Sequence, residues 1–290
     1  MLSAAQKRFI RALHRKAERQ ERRLFLVEGP TLAREALDAG WAFERVVATS
    51  EWIAPEPGFP ANNGAGPTSG RFPGRSRPGS NSPICAVFPA SPVVGIPQSL
   101  ASVCVKVSQD ELCAVSAMDA PNQVLAVVRM PEDTPPPPQP AGLALCLDGV
   151  HDPGNLGTIL RSAAWFGVER VVCSPDCVER FNPKVVQASM GAIFRVPVHA
   201  TDIAGYLRGL PSDTVVAGAV LDGENVYTVE TSEPAVLVLG NEARGLSDAV
   251  RAQIRKPVTI PRLGTGESLN VAMAATVLCS VWKEKTLRKR

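Results

Sequence analysis

Histidine is nearly absent from this chain: His14, His151 and His199 are the three in 290 residues. With so few, and with no G-x-S-x-G turn, neither a Ser–His nucleophile nor a histidine-bound metal has a basis. No G-x-x-x-x-G-K-[S/T] run occurs, which excludes a P-loop nucleotidase. Gly264-Thr-Gly-Glu-Ser-Leu269 opens like a dinucleotide fingerprint but lacks the last glycine and lies late in the chain. No apolar run approaches the roughly 18–20 residues of a membrane-spanning helix, so no membrane partner is expected. The first residues carry no apolar stretch like that of a secretory leader. The seven cysteines are odd in number and unpaired in pattern; Cys173 and Cys177 lie close together but have no second pair. Reduced thiols in a cytoplasmic protein, with no metal site, are the expectation.

What is present is the balance of a globular protein, 45% apolar and 20% charged residues, in a length sufficient for two domains. The net charge of +3 conceals an asymmetry. Residues 1–23 hold eight Lys/Arg against Glu18 and Glu21, and residues 283–290 hold five against one acid. The body between them is mildly acidic. Basic ends on such a body suggest a polyanionic partner.

Residues 4–23 read as one helix in which Arg8, Arg11, Arg15, Arg19 and Arg22 recur at intervals of three and four. Ile10, Leu13 and Ala17 would line an adjacent apolar face. An arginine stripe suits phosphate, because each guanidinium is a fork of donors; a solvated helix face is the other reading. A strand at 24–27, a helix at 30–39 and a strand at 45–48 follow. Residues 55–98 are dominated by Pro, Gly, Ser and Asn, and read as a mobile insertion. Strand patterning resumes at 103–107 and 123–128. A proline-rich stretch at 131–141 then forms a stiff linker between a first domain, 1–130, and a second, 142–290.

The second domain alternates short apolar strands (143–147, 170–173, 196–199, 214–220, 235–239, 257–260) with helices (154–166, 183–191, 202–208, 247–253, 269–283). This predicts an α/β fold with a mostly parallel sheet covered on both faces. In such folds ligands bind in the loops beyond the carboxyl ends of the strands. Three of those loops stand out. In Asp148-Gly-Val-His-Asp-Pro-Gly-Asn-Leu-Gly-Thr-Ile-Leu-Arg161, Asp152-Pro153 starts a helix bearing Asn155 and Arg161. Cap residues and a surface arginine would explain these as well as function would. In Leu239-Gly-Asn-Glu-Ala-Arg-Gly-Leu246, polar Asn241 and Glu242 directly follow a buried strand and need partners or a pocket, or form a bare turn. In Ile260-Pro-Arg-Leu-Gly-Thr-Gly-Glu-Ser-Leu-Asn270, Glu267 or Ser268 stands where a helix cap belongs. The last helix is apolar nearly all round, so it should be buried on more than one side, its outer face against a partner subunit.

In this order, the three loops resemble the signature motifs of the SpoU (TrmH-type) RNA ribose methyltransferases, of the SPOUT superfamily. The basic helix followed by Phe25-Leu-Val-Glu-Gly-Pro30 is similar to the ribosomal-protein-like substrate-binding domain of many members. The resemblance implies a deep trefoil knot in the second domain, a homodimer, and S-adenosylmethionine as methyl donor to a ribose 2′-oxygen of structured RNA. Large-subunit ribosomal RNA is the favoured substrate; transfer RNA, or a non-catalytic assembly role, are the alternatives. By position it points to Asn155, Arg161, Glu242, Ser268 and Asn270 as catalytic. It gives the cofactor Leu239, Gly240, Asn241, Ile260, Pro261, Ser268, Leu269 and Ala219. Arg161 is better suited to stabilising a developing alkoxide, or to holding a phosphate, than to acting as a base, because a guanidinium stays protonated.

Overall fold

The computed structural model describes residues 1–53 and 100–288; the 55–98 insertion lies outside the described residues. Four strands, β1 (Leu24–Glu28), β2 (Phe43–Ala48), β3 (Cys104–Lys106) and β4 (Val124–Arg129), form a sheet in the order β1–β4–β2–β3. Six more, β5 (Leu143–Leu147), β6 (Arg170–Cys173), β7 (Val198–Ala200), β8 (Val215–Asn225), β9 (Ala235–Leu239) and β10 (Lys256–Thr259), form a second, in the order β10–β8–β9–β5–β6–β7. Every pairing in the second sheet is parallel. Its central strands β5, β6 and β9 are buried along their whole length, as a sheet covered on both faces requires. The helices are α1 (Ala4–Ala12), α2 (Lys16–Arg22), α3 (Pro30–Asp38), α4 (Ser50–Ile53), α5 (Gln109–Cys113), α6 (Pro153–Trp165), α7 (Pro183–Ser189), α8 (Ile203–Arg208), α9 (Asp248–Arg251) and α10 (Val271–Arg288). Of these, α4 and α5 were not anticipated, being too short to show periodicity, although Ser108 and Glu111 form a capping box on α5.

The amino-terminal helix is two helices, which corrects the single stripe. The chain breaks after α1, and Arg15 is extended at φ −91° and ψ 134° before α2 begins. The turn buries Ile10 and Leu13 while leaving Ala17 exposed. It also swings Arg19 inward.

One buried apolar cluster runs from the first sheet into the second. At the join, Phe25 of β1 stacks on Phe181 with centroids 4.4 Å apart, and Trp41 meets Phe194 edge-on at 5.4 Å. The proline-rich stretch is tied down. Asp133 pairs with both Arg23 and Arg180, and the carbonyls of Pro137 and Gln139 accept from Arg170.

The pair α6 and α7 cross at Gly157, where a Cβ would lie 2.4 Å from Ala188 Cβ and 2.9 Å from the Ser189 backbone nitrogen. Gly157→Ala should therefore force the helices apart and destabilise the fold by about 1–3 kcal/mol, despite alanine's better helix propensity. Urea unfolding checks this; an unchanged or raised midpoint would show that the crossing can relax.

The last helix starts two residues later than its pattern suggests. Its cap is Asn270, whose Oδ1 accepts from the nitrogens of Ala272 (2.9 Å) and Met273 (3.4 Å), so Ser268 and Leu269 stand outside the helix. Within the chain α10 is buried along one side, through Ala272, Ala275, Leu278, Cys279 and Trp282. On its other side Met273 is 59% exposed, so the described residues do not bury the helix all round.

Candidate active site

The strand order reverses at β5, whose neighbours are β6 on one side and β9 on the other. The turns leaving β5 and β9 therefore emerge side by side, the place where parallel α/β sheets open a crevice. Backbone bonds seam them together. The Asp148 nitrogen donates to Leu239 O (2.8 Å), and Asp148 Oδ2 accepts from the Ser247 nitrogen (2.7 Å).

Asp152 caps α6 by accepting from the Asn155 nitrogen (2.8 Å), which fixes Asn155 in the first turn. From there its Nδ2 donates to Glu242 Oε1 (2.6 Å), and its Oδ1 accepts from Asn270 Nδ2 (2.9 Å). Asn155 thus joins Glu242 and Asn270, 87 and 115 residues further along the chain, in one hydrogen-bonded line.

The turn after β9 is closed on itself. Asn241 and Gly245 exchange backbone bonds of 2.9 Å, and Asn241 Oδ1 accepts from the nitrogens of Ala243 and Arg244. Gly240 is required by this closure: a Cβ there would sit 2.3 Å from the Gly245 carbonyl carbon. Asn241 Nδ2 donates across to Gly149 O (2.7 Å), so the two turns hold each other.

The remaining expected residues are less engaged. Ile260 and Ala219 pack, partly buried, against the same apolar cluster, and Ala219 lies where β8 leaves its ladder with β10 between Gly218 and Glu224. Pro261 is partly buried, while Ser268 and Leu269 are exposed. Among the described residues no hydrogen bond reaches a backbone nitrogen from Arg262 to Leu269. Arg161 does not join the asparagine–glutamate line. It is exposed on α6 and has no ion pair or hydrogen bond among the described residues.

A fourth turn, after β6, was missed by sequence reasoning. Ser174 Oγ accepts from the Gly149 nitrogen (2.9 Å) and donates to Asp176 Oδ1 (2.5 Å), and Asp176 Oδ2 lies 3.8 Å from His151 Nε2. The Ser174 bond, with His151 nearby, holds the Asp176 carboxyl below the usual carboxylate range. The available signal was Ser174-Pro-Asp176 directly after a buried strand, the same logic that flagged Asn241 and Glu242.

Cys177 closes this turn, donating to Leu147 O (3.1 Å) and accepting from the Val150 nitrogen (3.3 Å). Hydrogen bonds from Cys173 first, then Ser174 and the backbone, bring its thiol down to about 6, against the opposing effect of burial. Burial alone pushes Cys279 up to about 12. Iodoacetamide at pH 7 should therefore alkylate Cys177 well before Cys279, as read by peptide mass mapping. Equal rates would mean that burial, not ionisation, governs both.

Residues 142–280 match the model described as the SpoU rRNA Methylase family, and residues 6–65 that described as an MRM3-like substrate binding domain. A Porphyromonas gingivalis structure assigned to the TrmH family of RNA methyltransferases is 34% identical, covering 99% of this chain and 100% of its own, with a TM-score of 0.73. The chain belongs to the SpoU (TrmH-type) family. The Bacillus subtilis 23S rRNA (guanosine(2553)-2′-O)-methyltransferase RlmP is 29% identical, over 92% of this chain and 91% of its own. A Sinorhizobium meliloti rRNA methyltransferase solved with AdoMet shares the fold at 23% identity, with a TM-score of 0.75, over 98% of this chain and 97% of its own.

For a SpoU-family chain the amino-terminal arginines are the expected RNA contacts, and the structure divides them. Arg19 is 2% exposed: it pairs with Glu179 through Nε and Nη2, and its Nη1 donates to the carbonyls of Leu13 (2.9 Å) and His14 (2.8 Å). It cannot reach RNA, because the helix break turns it into the join between the two sheets. Arg8, Arg11, Arg15 and Arg22 are exposed. Of these, Arg15 and Arg22 share Glu18, and Arg11 Nε donates to Ala114 O (2.6 Å). Among the described residues no helix is long and apolar enough to cross a membrane.

Proposed function

We propose that this chain transfers a methyl group from S-adenosylmethionine to a ribose 2′-hydroxyl of 23S ribosomal RNA, in the cytoplasm. The observation that carries the reading is the line Asn155–Glu242–Asn270, which gathers three family motifs at the switch point of the sheet. The match of residues 6–65 to a substrate-binding domain, and the full-length likeness to a 23S-directed relative, support ribosomal over transfer RNA. We divide the chain at the proline-rich stretch into an RNA-binding part, 1–130, and a methyltransferase part, 142–290.

The donor set suits the cofactor. The unbonded backbone nitrogens of the 262–269 loop are free to read adenine. Ile260, Ala219 and exposed Leu269 offer apolar flanks, and Leu239, Gly240, Asn241, Pro261 and Ser268 complete the cradle. When bound, S-adenosylmethionine supplies a methyl carbon already activated by a sulfonium, so the chain's own work is orientation and charge. Asn155 and Asn270 orient the ribose, Glu242 locks Asn155 in register, and Arg161, unpaired among the described residues, faces a phosphate or the developing alkoxide. We assign the deep trefoil knot to the strands and turns that hold this cradle. We also assign a homodimer through the open side of α10. Exposed Met273 (59%) and Leu269 (56%), with Trp165 (68%) on the adjoining α6, are the apolar groups that such an interface would cover.

Mapping ribose methylation across ribosomal and transfer RNA, in cells with and without the gene, tests the reading. One 2′-O-methyl mark in the large-subunit RNA should disappear. Loss confined to transfer RNA, or no loss at all, would overturn it.

A further inference from the structure

A hydroxyl that attacks a methyl carbon must lose its proton, and the residues assigned above leave that proton without a destination. Arg161 stays protonated near neutral pH. The acids nearby are engaged: Asp148 accepts from Ser247, Asp152 caps α6, and Glu242 accepts from Asn155. One imidazole stands on these turns. His151, half exposed, lies on the loop from β5 to α6, immediately before the cap residue Asp152 and four positions from Asn155.

Its two nitrogens have different surroundings. Nε2 faces Asp176 Oδ2 at 3.8 Å, and Asp176 is itself held by Ser174 Oγ, which accepts from the Gly149 nitrogen. Among the described residues Nδ1 meets only the Asn241 amide, at a long 3.5 Å. A carboxylate anchored through a serine to the backbone, a ring nitrogen turned to it, and a second nitrogen loosely held at the crevice form the arrangement of a general base with its orienting acid.

We propose that His151 Nδ1 accepts the proton of the ribose 2′-hydroxyl, with Asp176 as its positioning residue. This rests on the methyl-transfer reading above. As the 2′-oxygen bonds the methyl carbon, its proton passes to Nδ1, and the electron pair of the breaking carbon–sulfur bond stays on sulfur as a neutral thioether. The imidazolium so formed faces Asp176, which compensates its charge. The other charged or titratable groups on the surrounding turns are Asp148 and Asp152 on its own loop, Cys177 beside Asp176, and Glu242 and Arg244 on the turn after β9.

The test is single-turnover methylation of 23S rRNA transcribed in vitro, and of bulk transfer RNA, with radiolabelled S-adenosylmethionine across pH. Wild type should gain rate with rising pH and then level off, as a reaction that needs a deprotonated base does. His151→Ala and His151→Gln should each lower the plateau rate about 10²-fold, the scale of general-base catalysis, and lose that rise. Calorimetric affinity for S-adenosylmethionine should stay within about twofold, which separates catalysis from misfolding. Asp176→Asn should keep a pH-dependent rise but lower the plateau rate, with affinity for S-adenosylmethionine unchanged, as loss of the group that orients the ring requires. An active wild type whose His151 variants keep its rate or its pH profile overturns the inference alone, as does loss of rate and affinity together in both variants. A wild type that methylates neither RNA overturns the methyl-transfer reading and the inference with it.

Discussion

Arg161→Ala is expected to lower methyl transfer by about 10²–10³-fold, the scale of removing one preorganised charge from a transition state. Calorimetric affinity for S-adenosylmethionine and the urea midpoint should stay near wild type. The structure sharpens this expectation. Arg161 is exposed on the second half of α6, and its removal takes away no ion pair or hydrogen bond among the described residues. A surface arginine without such partners ordinarily tolerates alanine within about 0.5 kcal/mol. A large loss of rate from a structurally idle position would mean that its partner is the substrate. Arg161→Lys should recover little if bidentate phosphate contact is needed, and much if charge alone matters. Parallel loss of rate and cofactor affinity in Arg161→Ala would defeat this division of labour.

Arg19→Ala should have the largest effect on stability, about 3–5 kcal/mol, because removing one member of a buried ion pair strands the other. Glu179, 11% exposed, would lose its cation, and the carbonyls of Leu13 and His14 would lose the donor that closes the turn between α1 and α2. The double substitution Arg19→Met with Glu179→Met should recover part of the loss, since a buried pair replaced by apolar groups of similar volume is often neutral. Arg8→Ala and Arg15→Ala should leave the urea midpoint unchanged and weaken RNA binding in a salt-dependent way. If Arg19→Ala unfolds with wild type yet loses RNA, Arg19 is a phosphate contact after all.

These two arginines show where local pattern stops being informative. In the sequence both are members of helical runs, and periodicity leaves Arg19 open between an RNA contact and a solvated helix face. Whether an arginine meets water, phosphate or a buried carboxylate depends on what the chain places opposite it. Glu179 is 160 residues away.

The sequence by itself determined the alternation of strand and helix, the three motif-bearing turns and the basic ends. Strand burial and helix capping are written in residues close together in the chain, and here they were legible to within a few positions, β5, β6 and β9 without error. The break after α1 was not legible, because it is imposed by burying Ile10, Leu13 and Arg19 against other elements. Nor was the cap at Asn270, chosen over Ser268 although all of 262–270 is exposed. Only the tertiary structure decided that Asn155 bonds Glu242 and Asn270 rather than Arg161, and that the turn after β6 joins the site through Ser174 and Asp176. The reason is physical: these hydrogen bonds act over about 3 Å, between groups that the order of strands in the sheet, not the order of residues in the chain, makes neighbours.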